Sequence, residues 1–306
     1  MNRLPSKNVS RFSFEKLKNK SEWLIYLAPF AVGVIIFTLY PIINVFLTSF
    51  KENFDYMTKE FSGWGLGNYT YVLQDPYFHQ ALKNTFFYVF IVIPVSTCLA
   101  VLIATLLNQK IKFSGLFQTA YFLPMVTSTI AVGLAWRFMF NYKSGVINYF
   151  LGLFGIDAIN WLQVTTGNFP ALCIYGVWAI LPFTIILLLS GLQNIDPMYY
   201  TAAKVDGAGP IRTFFKITVP LLMPTIFLVM IVNTISCFKV FNELFPLFSG
   251  PGVANNLYTA VYYIYYQFRI QIPSRYGYAT AAAVILFVII FVFTMVQRFV
   301  EKKLKN

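Results

Sequence analysis

Six apolar runs limit what this chain can become. They cover about residues 23–50, 81–107, 115–140, 170–191, 219–241 and 277–297, and each is long enough to cross the hydrocarbon core of a bilayer as a helix. In lipid every backbone N–H and C=O has to be paired within the segment, so the helix is the form such runs take. A soluble helix needs a polar face, and these runs are apolar all round. Only 11% of the residues are charged and 58% are hydrophobic, where a soluble domain carries about 25% charged residues. The expected fold is all-α: a polytopic membrane protein with six transmembrane helices.

The net charge of +12 would suggest a nucleic-acid partner in a soluble protein. Here the basic residues sit at the edges of apolar runs, so the membrane surface accounts for them and no nucleic acid is expected. The tail 1–22, the 108–114 loop, the 192–218 loop and the tail 298–306 hold fifteen Lys and Arg, and the alternate loops hold five. The positive-inside rule then puts both termini in the cytoplasm. The first run, 23–50, is too long for a signal-peptide core and is read as a retained span. Residues 51–80 form an extracytoplasmic loop, acidic and aromatic, and residues 242–276 carry the cluster Tyr258, Tyr262, Tyr263, Tyr265 and Tyr266. These aromatics suit either an interfacial belt or a docking surface for an extracytoplasmic protein. Cys98, Cys173 and Cys237 fall inside apolar runs without metal-type spacing. No cofactor or metal is expected on the chain.

Within the core 81–297, the loop 196–212 between the fourth and fifth spans carries a structural programme. Asp196-Pro197 is a helix start, since Asp caps free amides and Pro suits the first turn. Ala202 and Ala203 permit close approach by another surface. Gly207 suits a left-handed helix stop, Gly209-Pro210 reinforces it, and a second helix starting near Pro210 runs into the fifth span. A short helix joined rigidly to a span would tilt that span when pushed.

The spacing Ala202-Ala203-x-x-x-Gly207, nine residues, Ile217-x-Val219-Pro220 resembles the cytoplasmic signature of permease subunits of binding-protein-dependent ABC importers. The form Ala202-Ala203-Lys204-Val205-Asp206-Gly207-Ala208 is similar to their carbohydrate branch, of the maltose, lactose and glycerol-3-phosphate type. Tyr121-Phe122-Leu123-Pro124 with Trp136-Arg137, Ser249-Gly250-Pro251-Gly252 and Gly277-Tyr278-Ala279-Thr280-Ala281 extend the likeness over most of the chain. Thr201 stands where the family usually has Glu. The resemblance implies a prokaryotic cell-membrane protein with a second homologous permease, two ATPase subunits that bind the ATP and Mg, and an external solute-binding protein delivering a saccharide. It makes 196–212 the coupling helix region, with Thr201, Ala202, Ala203, Asp206, Gly207 and Ala208 meeting the ATPase.

The resemblance also implies sugar contacts on the spans flanking that loop: Gly176, Ala179, Ile180 and Phe183 before it, and Asn233, Cys237 and Val240 after it. Many of these are apolar, so the family's hydrogen-bonding pattern is not reproduced. The residues themselves add Tyr175, Trp178, Thr234 and Ser236 as groups able to face a lumen. Lys239 and Glu243, four apart near the end of the fifth span, are a functional pair or a local ion pair. Arg137 either pairs with Glu243 or reaches the head groups, and such cations would also suit glycerol-3-phosphate or an acidic saccharide.

Two other classes compete. An intramembrane enzyme needs a nucleophile–base pair or metal ligands at span depth, but the single His79 lies in a loop and the spans hold no carboxylate pair. An ion-coupled carrier would show an inverted repeat and buried acids, and neither is evident. The chain has no Gly-x-x-x-x-Gly-Lys-Ser/Thr sequence with which to cradle ATP itself.

Overall fold

The computed structural model describes residues 26–109, 114–271 and 275–305. The tail 1–22, the start of the first span, and Lys110 and Lys112 lie outside the described residues. Among the described residues five helices are long and apolar enough to cross a membrane, six when one sharply bent pair counts as a span. They are Tyr26–Ser49, Pro76–Leu107, the bent pair, Thr165–Gln193, Pro210–Phe238 and a last helix starting at Tyr276. The only sheet among the described residues is a two-strand hairpin, Lys51–Glu52 against Gly63–Trp64.

The second and fourth spans form the most extensive helix pair. Gly176 on the fourth span lets Tyr88 of the second lie directly on its backbone, and a β-carbon there would fall on the Tyr88 hydroxyl and ring. In a bilayer, lipid tails are as apolar as leucine, so close packing of this kind holds helices together where the hydrophobic effect does not. The fifth span lies against both, and the sixth lies against the fifth. The second half of the first span, Tyr40–Ser49, runs along the sixth, and of this half only Thr48 and Ser49 are buried. Exposed Phe287, Val288, Phe291 and Val292 on the sixth span face the surroundings that lipid would supply.

Several helices start or stop away from the ends of the apolar runs, the fifth at the expected Pro210. The loop expected over 51–80 already contains the helix Gly67–Gln74, and the second span starts at Pro76, where the Asp75 carboxylate accepts from the Tyr77 amide at 2.9 Å. The third span, expected as one helix over 115–140, is two: Ser114–Val126 and Thr129–Met139. The axes turn by 110° between them. Pro124 cannot donate to the carbonyl four residues back, Thr127 Oγ1 donates to the Leu123 carbonyl at 2.7 Å, and Ser128 is extended at ψ 127°. The fifth span begins at Pro210 and passes through a π-helical turn at Phe214–Thr218 before Val219–Phe238. The sixth continues to Lys305, so the tail from 298 is helical through that residue.

Between the fifth and sixth spans the chain folds into a cap. Leu244–Phe248 and Ala260–Tyr265 are short helices, the second extended by a π turn at Tyr266–Ile270. The cap is fastened to the second span by buried and partly buried polar contacts. Asn84 Nδ2 donates to the carbonyls of Asn256 and Tyr258, both at 2.8 Å, and the Ala260 amide donates to Thr85 Oγ1 at 2.9 Å.

Candidate functional site: the interspan loop and the span faces beside it

The loop helix Pro197–Val205 is closed at both ends by its own sequence. Asp196 Oδ1 accepts from the Met198 amide at 2.8 Å, with Pro197 in the first turn. At the other end the Ala208 amide bonds the Ala203 carbonyl at 2.9 Å, and the Gly207 amide bonds the Lys204 carbonyl at 3.1 Å. Gly207 has φ +69°. This pair of bonds around a left-handed residue is the Schellman stop, which satisfies carbonyls the helix would otherwise leave open. Gly209 is extended, and Pro210 opens the helix that becomes the fifth span.

Within this frame Ala203 is buried at 4% exposure, while Ala202, Asp206 and Gly207 face outward. The Thr201 hydroxyl donates to its own Pro197 carbonyl at 3.2 Å. Around these residues apolar groups stand in the open: Val205 is 84% exposed, Ile211 74%, Met198 72% and Phe215 64%. The loop thus shows a rigid backbone with an uncovered apolar surface. The sequence reading identified the backbone but passed over Met198, Val205 and Ile211, whose exposure depends on which side of the helix is buried.

The residues expected along a substrate path divide into two groups. Tyr175, Asn233, Thr234, Cys237 and Val240 are buried inside the bundle. Tyr175 packs among aromatic rings, 5.9 Å from Trp136 and 6.2 Å from Trp178. Ala179 and Ser236 are exposed, and Trp178, Ile180 and Phe183 are half-buried. These five residues of the fourth and fifth spans therefore reach the outside of this single chain.

Lys239 and Glu243 do not share a helical turn. The fifth span ends at Phe238 with Lys239 as its cap, and Glu243 Oε2 accepts from the Phe241 amide at 3.1 Å. Arg137, at the end of the third span, donates to Ser249 Oγ at 2.9 Å. It lines a cavity of about 700 Å³ together with Asn141, Gln163 and Phe248. Ser249 itself sits in the left-handed region at φ +62°, where the cap chain turns into Gly250-Pro251-Gly252. In the cap, burial raises the phenol pKa of Tyr258, Tyr262 and Tyr263, and for Tyr263 a 2.7 Å hydrogen bond to Asp75 Oδ2 adds to the rise.

Residues 96–306, more than half of the chain, match the family described as the binding-protein-dependent transport system inner membrane component. The chain belongs to this family. It is a multi-pass membrane permease, a transport subunit of ABC importers and not an enzyme. The arabinooligosaccharides permease of Bacillus subtilis is 33% identical over 275 residues, which is 89% of this permease and 86% of the relative. The trehalose/maltose permease of Thermococcus litoralis is 32% identical over 284 residues, covering 92% and 94%. The lactose permease of Rhizobium radiobacter is 33% identical over 301 residues, covering 97% and 99%. Among solved structures, a bacterial ABC transporter that imports the acidic polysaccharide alginate matches with a TM-score of 0.80 at 23% identity, covering 95% of this permease and 100% of that chain. That likeness concerns the fold.

Proposed function

We propose that this permease forms, with a second homologous permease, the membrane path for a di- or oligosaccharide. An external solute-binding protein delivers the sugar, and two ATPase subunits, which bind the ATP and Mg, drive the cycle. The observation that carries this reading is the loop 196–212: a helix capped by Asp196, stopped at Gly207, bare on its apolar side and continuous with the fifth span. Near full-length similarity to permeases named for arabinooligosaccharides, trehalose/maltose and lactose supports the saccharide. The charge count supports a cytoplasmic loop and cytoplasmic termini.

In this reading Met198, Val205 and Ile211 seat in the ATPase, with Thr201, Ala202, Asp206, Gly207 and Ala208 at the same contact and Ala203 packed beneath. Trp178, Ala179, Ile180, Phe183 and Ser236 face the second permease across the path. The test is co-purification with the products of neighbouring genes, followed by uptake against a panel of neutral and uronic saccharides. An ATPase and a second permease in the complex, with uptake of one saccharide class, bear the reading out. A stable complex that lacks an ATPase overturns it. The uronic arm is included because the guanidinium of Arg137 lines an open cavity beside neutral Asn141 and Gln163, and an acidic saccharide would suit it.

A further inference from the structure

Two side-chain hydrogen bonds run between spans of the bundle, one buried and one partly buried, and they are built alike. Asn233 Nδ2 on the fifth span donates to Thr184 Oγ1 on the fourth at 2.9 Å. Gln297 Nε2 on the sixth span donates to Thr234 Oγ1 on the fifth at 2.8 Å. In both, the threonine has already given its own proton to the carbonyl four residues back: Thr184 to Ile180 at 2.8 Å and Thr234 to Met230 at 2.7 Å. Each hydroxyl oxygen is thereby left as an acceptor, so its cross-helix partner has to be a donor. An amide NH2 meets that need in both cases.

Thr184, Asn233 and Thr234 are 0%, 2% and 0% exposed. No water replaces the Asn233–Thr184 bond at such a place within an apolar bundle, so that tie persists while the helices stay together. Gln297 is half-buried, and its bond is sheltered on the Thr234 side. Asn233 and Thr234 are consecutive. One turn of the fifth span is therefore fastened to a neighbour on each side. The fourth span carries Pro182 two residues from Thr184, and the fifth carries Pro224 between the loop and Asn233. Each proline removes one backbone bond and makes a point where a helix bends easily. Without the ties, displacement of the loop could be absorbed as bending at Pro224.

We propose that Thr184, Asn233, Thr234 and Gln297 are positioning residues that pass displacement of the loop sideways, so that the fourth, fifth and sixth spans move as one body. Asn233 then works as a helix tie and not as a sugar contact. The proposal rests on the coupling reading given above.

The test uses the assembled importer in lipid nanodiscs, with Cys98, Cys173 and Cys237 replaced by Ala and spin labels at exposed positions. Leu228→Cys with Val292→Cys reads the fifth span against the sixth, and Lys204→Cys, exposed on the loop helix away from Met198 and Val205, with Leu102→Cys reads the loop against the second span. Trapping with MgATP and vanadate should change the loop distance and leave the Leu228–Val292 distance within about 2 Å, the scale of ordinary helix adjustments. The Asn233→Leu/Gln297→Leu variant should let the Leu228–Val292 distance shift or broaden. A Leu228–Val292 distance that changes with the ties intact would overturn the proposal. So would a distance that stays fixed when both ties are removed. If the double variant fails to assemble, the exchanged pair Thr184→Asn/Asn233→Thr decides, read between Ile174→Cys on the fourth span and Leu228→Cys on the fifth, both exposed: it should keep the fixed distance that Asn233→Thr alone loses, and equal behaviour of the two overturns the tie. A complex that forms without an ATPase contradicts the coupling reading instead, before any distance is measured.

Discussion

The interspan loop and the cap at the other end of the bundle are both short-helix structures joining apolar spans, yet they are finished in opposite ways. In the cap, Tyr263, Leu257, Ala260 and Leu244 are fully buried, and Thr259 Oγ1 bonds the Val240 carbonyl at 2.9 Å. Backbone groups that would be left open are taken by Asn84 and Thr85 of the second span. In the loop, every hydrogen bond named here is local, and the large apolar side chains stay outside. The cap completes itself with the chain's own side chains. The loop has a fixed backbone and an unfinished surface, which is the form expected of a part that another subunit covers. An exposed apolar patch on an otherwise satisfied structure marks a site of association.

The sharpest way to break this contrast is to charge the loop surface. Met198→Asp with Val205→Asp should weaken ATPase binding by more than about thirtyfold, since buried anchor residues at interfaces are each worth about 2 kcal/mol or more. The thermal midpoint of the permease alone should hardly change. Co-purification and a melting curve on the same preparation check both halves. Retained binding would mean that the open surface is not an interface. The cap should behave in the opposite way. Thr85→Val leaves the buried Ala260 amide without an acceptor and should cost about 1–3 kcal/mol of stability, read as a lower thermal midpoint, while ATPase binding persists.

Gly207→Val separates backbone form from surface in the loop. A β-branched residue at φ +69° costs about 1–2 kcal/mol, a cost confined to the helix stop because no atom stands near the site of the missing side chain. The complex should form, with uptake reduced about tenfold at unchanged ATP hydrolysis, a factor that corresponds to about 1.4 kcal/mol. Uptake at the level of the unaltered permease would show that the shape of the stop does not matter to coupling.

What was legible in the sequence follows the same division. Local chemistry is readable in the loop: Asp196-Pro197, Gly207 and Gly209-Pro210 fall at the predicted cap, stop and restart. Asp75-Pro76 carries the same signal and opens the second span, but in an acidic, aromatic stretch it passed for loop. The six apolar runs gave the spans, though not the 110° turn in the third, because proline is common in membrane helices and Pro124 looks no different from Pro182 or Pro224, where the helix continues. The spacing of Lys239 and Glu243 suggested a helical pair that the end of the fifth span at Phe238 removes. The ties of Asn233 and Gln297 were out of reach, since an amide in an apolar run does not say which neighbouring helix supplies its acceptor.

The smallest effect concerns Tyr263, where the cap meets the head of the second span. Its hydroxyl donates to Asp75 Oδ2 while Oδ1 of the same carboxylate caps that helix. Tyr263→Phe removes one hydrogen bond and keeps the cap, so the loss should be about 1 kcal/mol. The phenol also gives the bond a pH signature. Burial, then the bond to Asp75, raises the folded-state pKa above the ordinary value near 10. The folded protein therefore holds the proton that the unfolded chain releases, and the stability from this group is complete below about pH 10 and falls as pH rises beyond it. Tyr258 and Tyr262 are raised by burial as well, so Tyr263→Phe should make the decline between pH 10 and 11 shallower without abolishing it. Thermal midpoints of the two proteins across that interval read the difference. Parallel declines would show that the Tyr263 phenol is not held neutral by the cap.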